Sequence, residues 1–421
     1  MATIDEILDE FPEPVREKLE RMWAALPEEM RKQLTDVMEE LSPSLKVLKS
    51  LLPFVLDHYK AALGQKNSIA IVGPANVGKS TLYNQLISRD EDRAEVSSIP
   101  GTTRQNQEAD TGLFVIVDTP GADAVGAVGE RERQIAFEAA GSADFLVIVF
   151  ETTRGIKQSE RGLFDDLLEL DKPFIVALNK MDLIPKGERD QVLVVAARNL
   201  DLEPSEVIGI VATDGDNVGR VILAIAKSDT ELVQAIAKAL PEYRARLAWQ
   251  RIGAAAGSAG AVGWIPLPFA DLVPLFFIQS GLVLSIARIY GYEITVSRAK
   301  ELIATFGLGF AARTVYQQLS KLAGVPGWIL SAAIAAATSV AIGYGAMMWF
   351  AYGEKPTRES LQKATTDIAI YLRDQLLGLG EKRPDRGKLR QRIIEALKDL
   401  PGYFRPVSRS TEGEADDGSK E

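Results

Sequence analysis

The chain has 421 residues, 46% of them hydrophobic, a net charge of −10, one histidine and no cysteine. That length implies two or three domains, and that apolar content is ample for large cores. The lack of cysteine excludes disulfides, zinc–thiolate sites and thiol catalysis. The acidic balance argues against a general nucleic-acid binder, and chemistry resting on the lone His58 is not expected.

Residues 1–66 read as a helical arm. Thr3 and Glu6 form a capping box, Pro12, Pro14 and Pro27 mark breaks, and Ser42-Pro43 starts a further helix. Leu45, Leu48, Leu52, Val55, Leu56, Tyr59 and Leu63 then recur at helical spacing. This stripe is expected to pack on carboxy-terminal helices, the alternatives being a dimer interface or a membrane-surface helix. Met1 is followed by acidic residues, so no secretory signal is expected.

Gly73-Pro-Ala-Asn-Val-Gly-Lys-Ser80 follows the apolar run Ser68–Val72 and precedes the helical stretch Thr81–Ile87. A Gly-x4-Gly-Lys-Ser loop between strand and helix cradles phosphates: its backbone N–H groups converge on one point and the helix adds its dipole. Asn76, Val77, Gly78, Lys79, Ser80 and Thr81 are the candidate nucleotide contacts. Lys79 would reach the β- and γ-phosphates and Ser80 a Mg2+ ion. In the loop Ser98–Arg104, Thr102 and Thr103 both offer a hydroxyl to that ion when a γ-phosphate is present; Thr103 is the favoured ligand and the loop a switch. Asp118 closes the apolar run Leu113–Val117, where it would hold Mg2+ through water, and the Gly121 N–H would meet the γ-phosphate. Catalytic roles thus fall to Lys79, Thr103 and Gly121. After the run Phe174–Leu178, Asn179 and Asp182 supply a base-reading pair. A carboxylate only accepts hydrogen bonds, and guanine offers donors at N1 and N2, so Asp182 selects guanine. The stem of Lys180 would cover the base face.

These motifs resemble the TrmE–Era branch of the translation-factor-class GTPases over about residues 67–240, typified by Pro100-Gly-Thr-Thr-Arg104 and Asp118-Thr-Pro-Gly121. The resemblance implies a Ras-like α/β domain with a mixed six-stranded sheet, GTP and GDP as ligands, and Thr103 as the magnesium threonine. It also implies a K+ site at Asn76 that assists hydrolysis. The family string usually has aspartate after Arg104, where this chain has Gln105, and two further positions bear on the chemistry. Ala122 occupies the place of the water-orienting glutamine of Ras-like proteins, so slow intrinsic turnover is expected, with Asp123, Glu130 or a bound cation as candidates to place the water. In Val207–Gly215 the usual Ser-Ala pair aligns with Val211-Ala212, leaving the Ala212 N–H as the group offered to the base.

From Ile252 to Tyr292 only Asp271 and Arg288 are charged, and Ala323–Gly353 carries no charge. Each stretch exceeds the ~20 residues needed to span a bilayer. Trp264, Trp328, Trp349 and Tyr352 suit an aromatic belt, and Gly253, Gly257 and Gly260 permit close helix packing. Pro266, Pro268 and Pro274 break the first stretch into a bend or re-entrant hairpin. The alternative is an alanine-rich soluble bundle that hides both stretches within itself. Trp264-Ile-Pro-Leu-Pro-Phe-Ala-Asp271 resembles the start of an uncharacterised bacterial helical domain found after such GTPases.

The expected organisation is a helical arm (1–66), a GTPase domain (67–240), a hydrophobic helical domain (241–405) and an acidic disordered tail (406–421), the helical parts of both ends forming one all-α domain. The expected function is a GTP-hydrolysing switch at the cytoplasmic face of the inner membrane, or in the cytoplasm if the apolar stretches are buried internally, with self-association through GTPase domains. The alternatives are a membrane-remodelling machine laid out like dynamin-related and immunity-related GTPases, and a ribosome-assembly GTPase.

Overall fold

Five short apolar runs become the strands of a single sheet. The computed structural model describes residues 16, 20, 66, 68–86, 113–118, 136–152, 155–263, 272–292, 325–379 and 384–400. Two compact units divide the chain: Lys60–Leu247, and Met1–Tyr59 together with Ala248–Glu421.

In the first unit the strands are β1 (Ile69–Gly73), β2 (Phe114–Asp118), β3 (Phe145–Glu151), β4 (Phe174–Asn179) and β5 (Val207–Gly209), in the order β2-β1-β3-β4-β5. Every pairing is parallel. Helices α1 (Lys79–Leu86), α2 (Gln158–Leu168) and α3 (Arg189–Asn199) lie between successive strands, and α4 (Val218–Ser228) and α5 (Val233–Ala239) follow β5. The expected mixed six-stranded sheet is therefore corrected to five parallel strands among the described residues. The physical reason is connectivity: crossovers through helices return each strand in the same direction. Helices on both faces also explain why the strands are apolar throughout, with β1 buried at all five positions.

Register fixes the functional edge. Gly73 pairs with Asp118, and Glu151 pairs with Asn179, so the ends of β1, β2, β3 and β4 lie side by side. Ligands of open parallel sheets bind at these carboxyl ends. Lys66, before β1, donates from Nζ to Asp229 Oδ2 at 2.6 Å, tying the start of the unit to the end of α4.

The second unit contains α6 (Arg244–Gly263) from Ala248 onward, α7 (Leu272–Ile289), α8 (Gly327–Tyr352), α9 (Arg358–Leu377) and α10 (Arg386–Lys398). Helix α8 has 26 residues and no charge, and it is the one helix among the described residues long and apolar enough to cross a membrane. In its most apolar window 89% of the residues are buried. It stops at Gly353, whose φ of 78° is the left-handed conformation that favours glycine. Five residues later α9 opens on a capping box, with Thr357 Oγ1 accepting from the Ser360 N–H at 3.1 Å, and packs back against α8. Helix α9 buries Leu361, Ile368, Ala369, Leu372 and Leu376 and carries Glu359, Lys363, Asp367 and Asp374 elsewhere on its surface. The Tyr371 hydroxyl donates to the Ala396 carbonyl at 2.9 Å, joining α9 to α10.

The glycines of α6 make room for its neighbours. A Cβ on Gly260 would collide with Ile393 of α10, and one on Gly263 would lie 2.9 Å from both the Ser331 carbonyl oxygen and Ala335 of α8. Gly253 on the same helix faces open space. We therefore expect Gly263→Val to lower unfolding free energy by about 1–3 kcal/mol through overpacking. Gly253→Ala should raise it by up to ~1 kcal/mol through helix propensity. Urea denaturation of the two variants checks both signs.

Candidate functional site

The loop after β1 is shaped by two close approaches. Gly73 has φ 153° and lies so near the Val149 carbonyl oxygen of β3 that a Cβ would overlap it; Gly78 has φ 96° and is blocked in the same way by the Asn179 amide. Neither position admits a side chain, which is why the loop needs glycine there. Asn76, between them, is exposed at φ 66°, a conformation asparagine tolerates better than most residues. Lys79 is 4% exposed, and its Nζ donates to the carbonyls of Gly73 at 2.9 Å and Pro74 at 2.7 Å. A buried ammonium requires such partners. Val77 is buried, and Ser80 and Thr81 are half-buried in the first turn of α1.

Asn179 ends β4 and is also 4% exposed. Its Nδ2 donates to the Val77 carbonyl at 2.8 Å, while its Oδ1 accepts from the Ala212 N–H at 3.0 Å. One amide therefore joins the phosphate loop, β4 and the turn after β5. The Ala212 N–H, expected to face the base, is already donated to Asn179, so a base would have to share it. Asp182 lies in the 3-10 turn Met181–Leu183 and is exposed. Asp118 is placed beside Gly73 by strand register. Thr102, Thr103, Gly121, Ala122, Asp123 and Glu130 lie outside the described residues, as do Trp264, Pro266, Pro268 and Asp271.

Several supporting residues escaped sequence reasoning. Gln85 of α1 donates from Nε2 to the Thr213 carbonyl at 2.9 Å, and the Asn217 amide donates to the Gly209 carbonyl at 3.1 Å. Together with the Val211–Asp216 bridge they close the turn that lacks the usual serine. Lys180 adopts φ 64°, a left-handed conformation that costs a non-glycine residue about 1–2 kcal/mol. Its carbonyl accepts from Thr152 Oγ1 at 2.9 Å and its ammonium contacts Glu151. The signal for Glu151 was available: like Asp118, it is an acid ending a buried apolar run. Beside it, a shallow cavity of about 340 Å³ is bounded by Ile156, Leu178, Val192 and Val195.

A phosphate loop leading from a central parallel strand into a helix, with the Asn179–Asp182 segment at the same sheet edge, defines a P-loop GTPase domain. Residues 68–180 match the family of 50S ribosome-binding GTPases, and residues 227–373 match a domain of unknown function, DUF697. The GTPase domain is of the TrmE/Era/Der type, with the second domain fused carboxy-terminally. The tRNA modification GTPase MnmE of Campylobacter jejuni is 36% identical over 166 residues, which is 38% of this chain and 35% of MnmE. GTPase Der of Clostridium perfringens is 34% identical over 129 residues, 29% of each protein. The chain thus spans about a third of the length of these relatives. A crystal structure of an Aquifex aeolicus Era variant bound to GDP and AlF4− shares 24% identity over 46% of this chain and 67% of that one, at a TM-score of 0.34.

The Asn179 geometry separates structural from reading roles. Asn179→Ala leaves a buried carbonyl and a buried N–H unpaired, and should lower the stability of the nucleotide-free protein by roughly 2–4 kcal/mol. Asp182→Ala, at an exposed position, should change it by less than ~0.5 kcal/mol. Denaturant unfolding of the two variants makes the comparison.

Proposed function

We propose that the chain is a Mg2+-dependent GTP-hydrolysing switch whose helical unit responds to the nucleotide state. The observation that carries this reading is the convergence of Lys79, Asp118 and Asn179 on one sheet edge, with the Asn179 amide bonded to the phosphate loop at the Val77 carbonyl. Lys79 reaches the β- and γ-phosphates from its place over the loop. Ser80 and Thr103 would hold Mg2+, with Asp118 supporting it through water, and the ion would supply shielding of the phosphate charge that develops in transfer. The Gly121 N–H meets the γ-phosphate, so the Thr103 and Gly121 segments order with GTP and release after hydrolysis. Asn179 and Asp182 read guanine, and Lys180 covers its face. With alanine at 122, intrinsic turnover is slow and is raised by a partner, by K+ at Asn76 or by pairing of GTPase domains.

For location we propose the cytoplasmic face of the inner membrane, with peripheral contact rather than insertion. The support is the pairing of α8 with α9. Carrying α8 across the hydrocarbon core would draw Lys363 and Asp367 of its partner in with it, at about 2.5–3.5 kcal/mol for each charge. A self-assembling membrane-remodelling machine is the second reading, favoured by the helical unit's origin in both ends of the chain. A ribosome-assembly role, suggested by the matched family's description, ranks below both because the net charge is −10.

Lys79→Ala should abolish GTP binding, and retained affinity would refute the loop assignment. Asp182→Asn should admit xanthosine triphosphate in place of GTP, measured by competition binding; an unchanged guanine preference would remove its role. Carbonate washing of membranes from expressing cells should release the chain to the supernatant, whereas retention in the pellet would mean that α8 inserts.

A further inference from the structure

Glu151 is the last residue of β3 and pairs in register with Asn179, the first residue of the base-reading segment. Its carboxylate meets the Lys180 ammonium at 2.5 Å, the two side chains being 20% and 35% exposed. The next residue, Thr152, holds the same segment at two further points: its N–H donates to the Asn179 carbonyl at 3.0 Å and its Oγ1 to the Lys180 carbonyl at 2.9 Å. Lys180 has the left-handed backbone, φ 64°, which persists in a non-glycine residue only where the surroundings enforce it. A long, flexible lysine side chain has many rotamers, and an unpaired one would sweep the space above the base. The end of β3 therefore holds Lys180 at both its backbone carbonyl and its ammonium.

We propose that Glu151 is a positioning residue for guanine-nucleotide affinity. By holding the Lys180 ammonium, it pre-orders the stem as a lid on the base face, so the side-chain entropy is lost on folding instead of on binding. In this proposal the influence of Glu151 on the nucleotide is exerted through Lys180. The proposal rests on guanine recognition by Asn179 and Asp182 as set out above.

The test is a double-mutant cycle in the 421-residue chain, read by calorimetric GDP binding and steady-state GTP turnover with Mg2+. Glu151→Gln keeps the shape and removes the charge. It should weaken GDP binding and raise KM for GTP about fivefold, as befits a half-buried ion pair, while kcat stays within ~2-fold. In a Lys180→Ala background the same substitution should have no further effect. A merely structural glutamate would lower thermal stability and act equally in both backgrounds. Unchanged nucleotide affinity in Glu151→Gln, or additive losses in the double variant, would overturn the proposal while leaving guanine recognition intact. Failure of the unmutated chain to bind GDP would overturn both.

Discussion

The first unit depends on one side chain amide. Asn179 is almost fully buried, and it satisfies a carbonyl in the phosphate loop with one end and an N–H in the turn after β5 with the other. Those segments lie far apart in sequence. A buried polar group that lost its partner would be costly, so the three segments hold their relative places together. Gly78 is glycine because the amide lies where its side chain would be, and Gly73 because β3 passes just behind it. The nucleotide site is thereby a property of the strand order: β1 is central, β3 and β4 stand on one side of it, and the loop is wedged against both.

The helical unit follows a different constraint. Its central helix, α8, is apolar all round, and a helix of that kind must be surrounded. The surrounding is achieved by glycines on α6 that let the backbones approach, by Leu282 of α7 near Gly343, and by the apolar stripe of α9. Alanine dominates α8, which allows this closeness and supplies little bulk. Three hydroxyls within the core are met locally: Thr338 and Ser339 donate to carbonyls one turn earlier, as does Thr365 of α9.

Much of the GTPase domain was legible in the sequence because phosphate and guanine recognition use short, contiguous segments. The loop at 73–80, Asp118 at a strand end and Asn179–Asp182 after another strand were all found by spacing. Of the residues that support them, Gln85 and Asn217 act across tertiary contacts and belong to no local pattern, whereas Glu151 ends a buried apolar run, as Asp118 does. Among the described residues the sheet differs from the expectation in strand number and direction, because the resemblance, not the residues, carried that expectation. The apolar stretch of α8 was ambiguous for a physical reason: length and composition are alike for a membrane span and a core helix. The first apolar stretch is half legible, as α7 is helical from Leu272 with Pro274 in its first turn, where proline is tolerated.

The central claim is that one sheet edge binds a guanine triphosphate through phosphate and base together. Calorimetric titration of the chain with GTP and with ATP, each with Mg2+, tests it most directly. The account predicts one GTP per chain and binding of ATP weaker by at least ~100-fold, because Asp182 would face adenine unpaired. Equal affinity for the two nucleotides would contradict it.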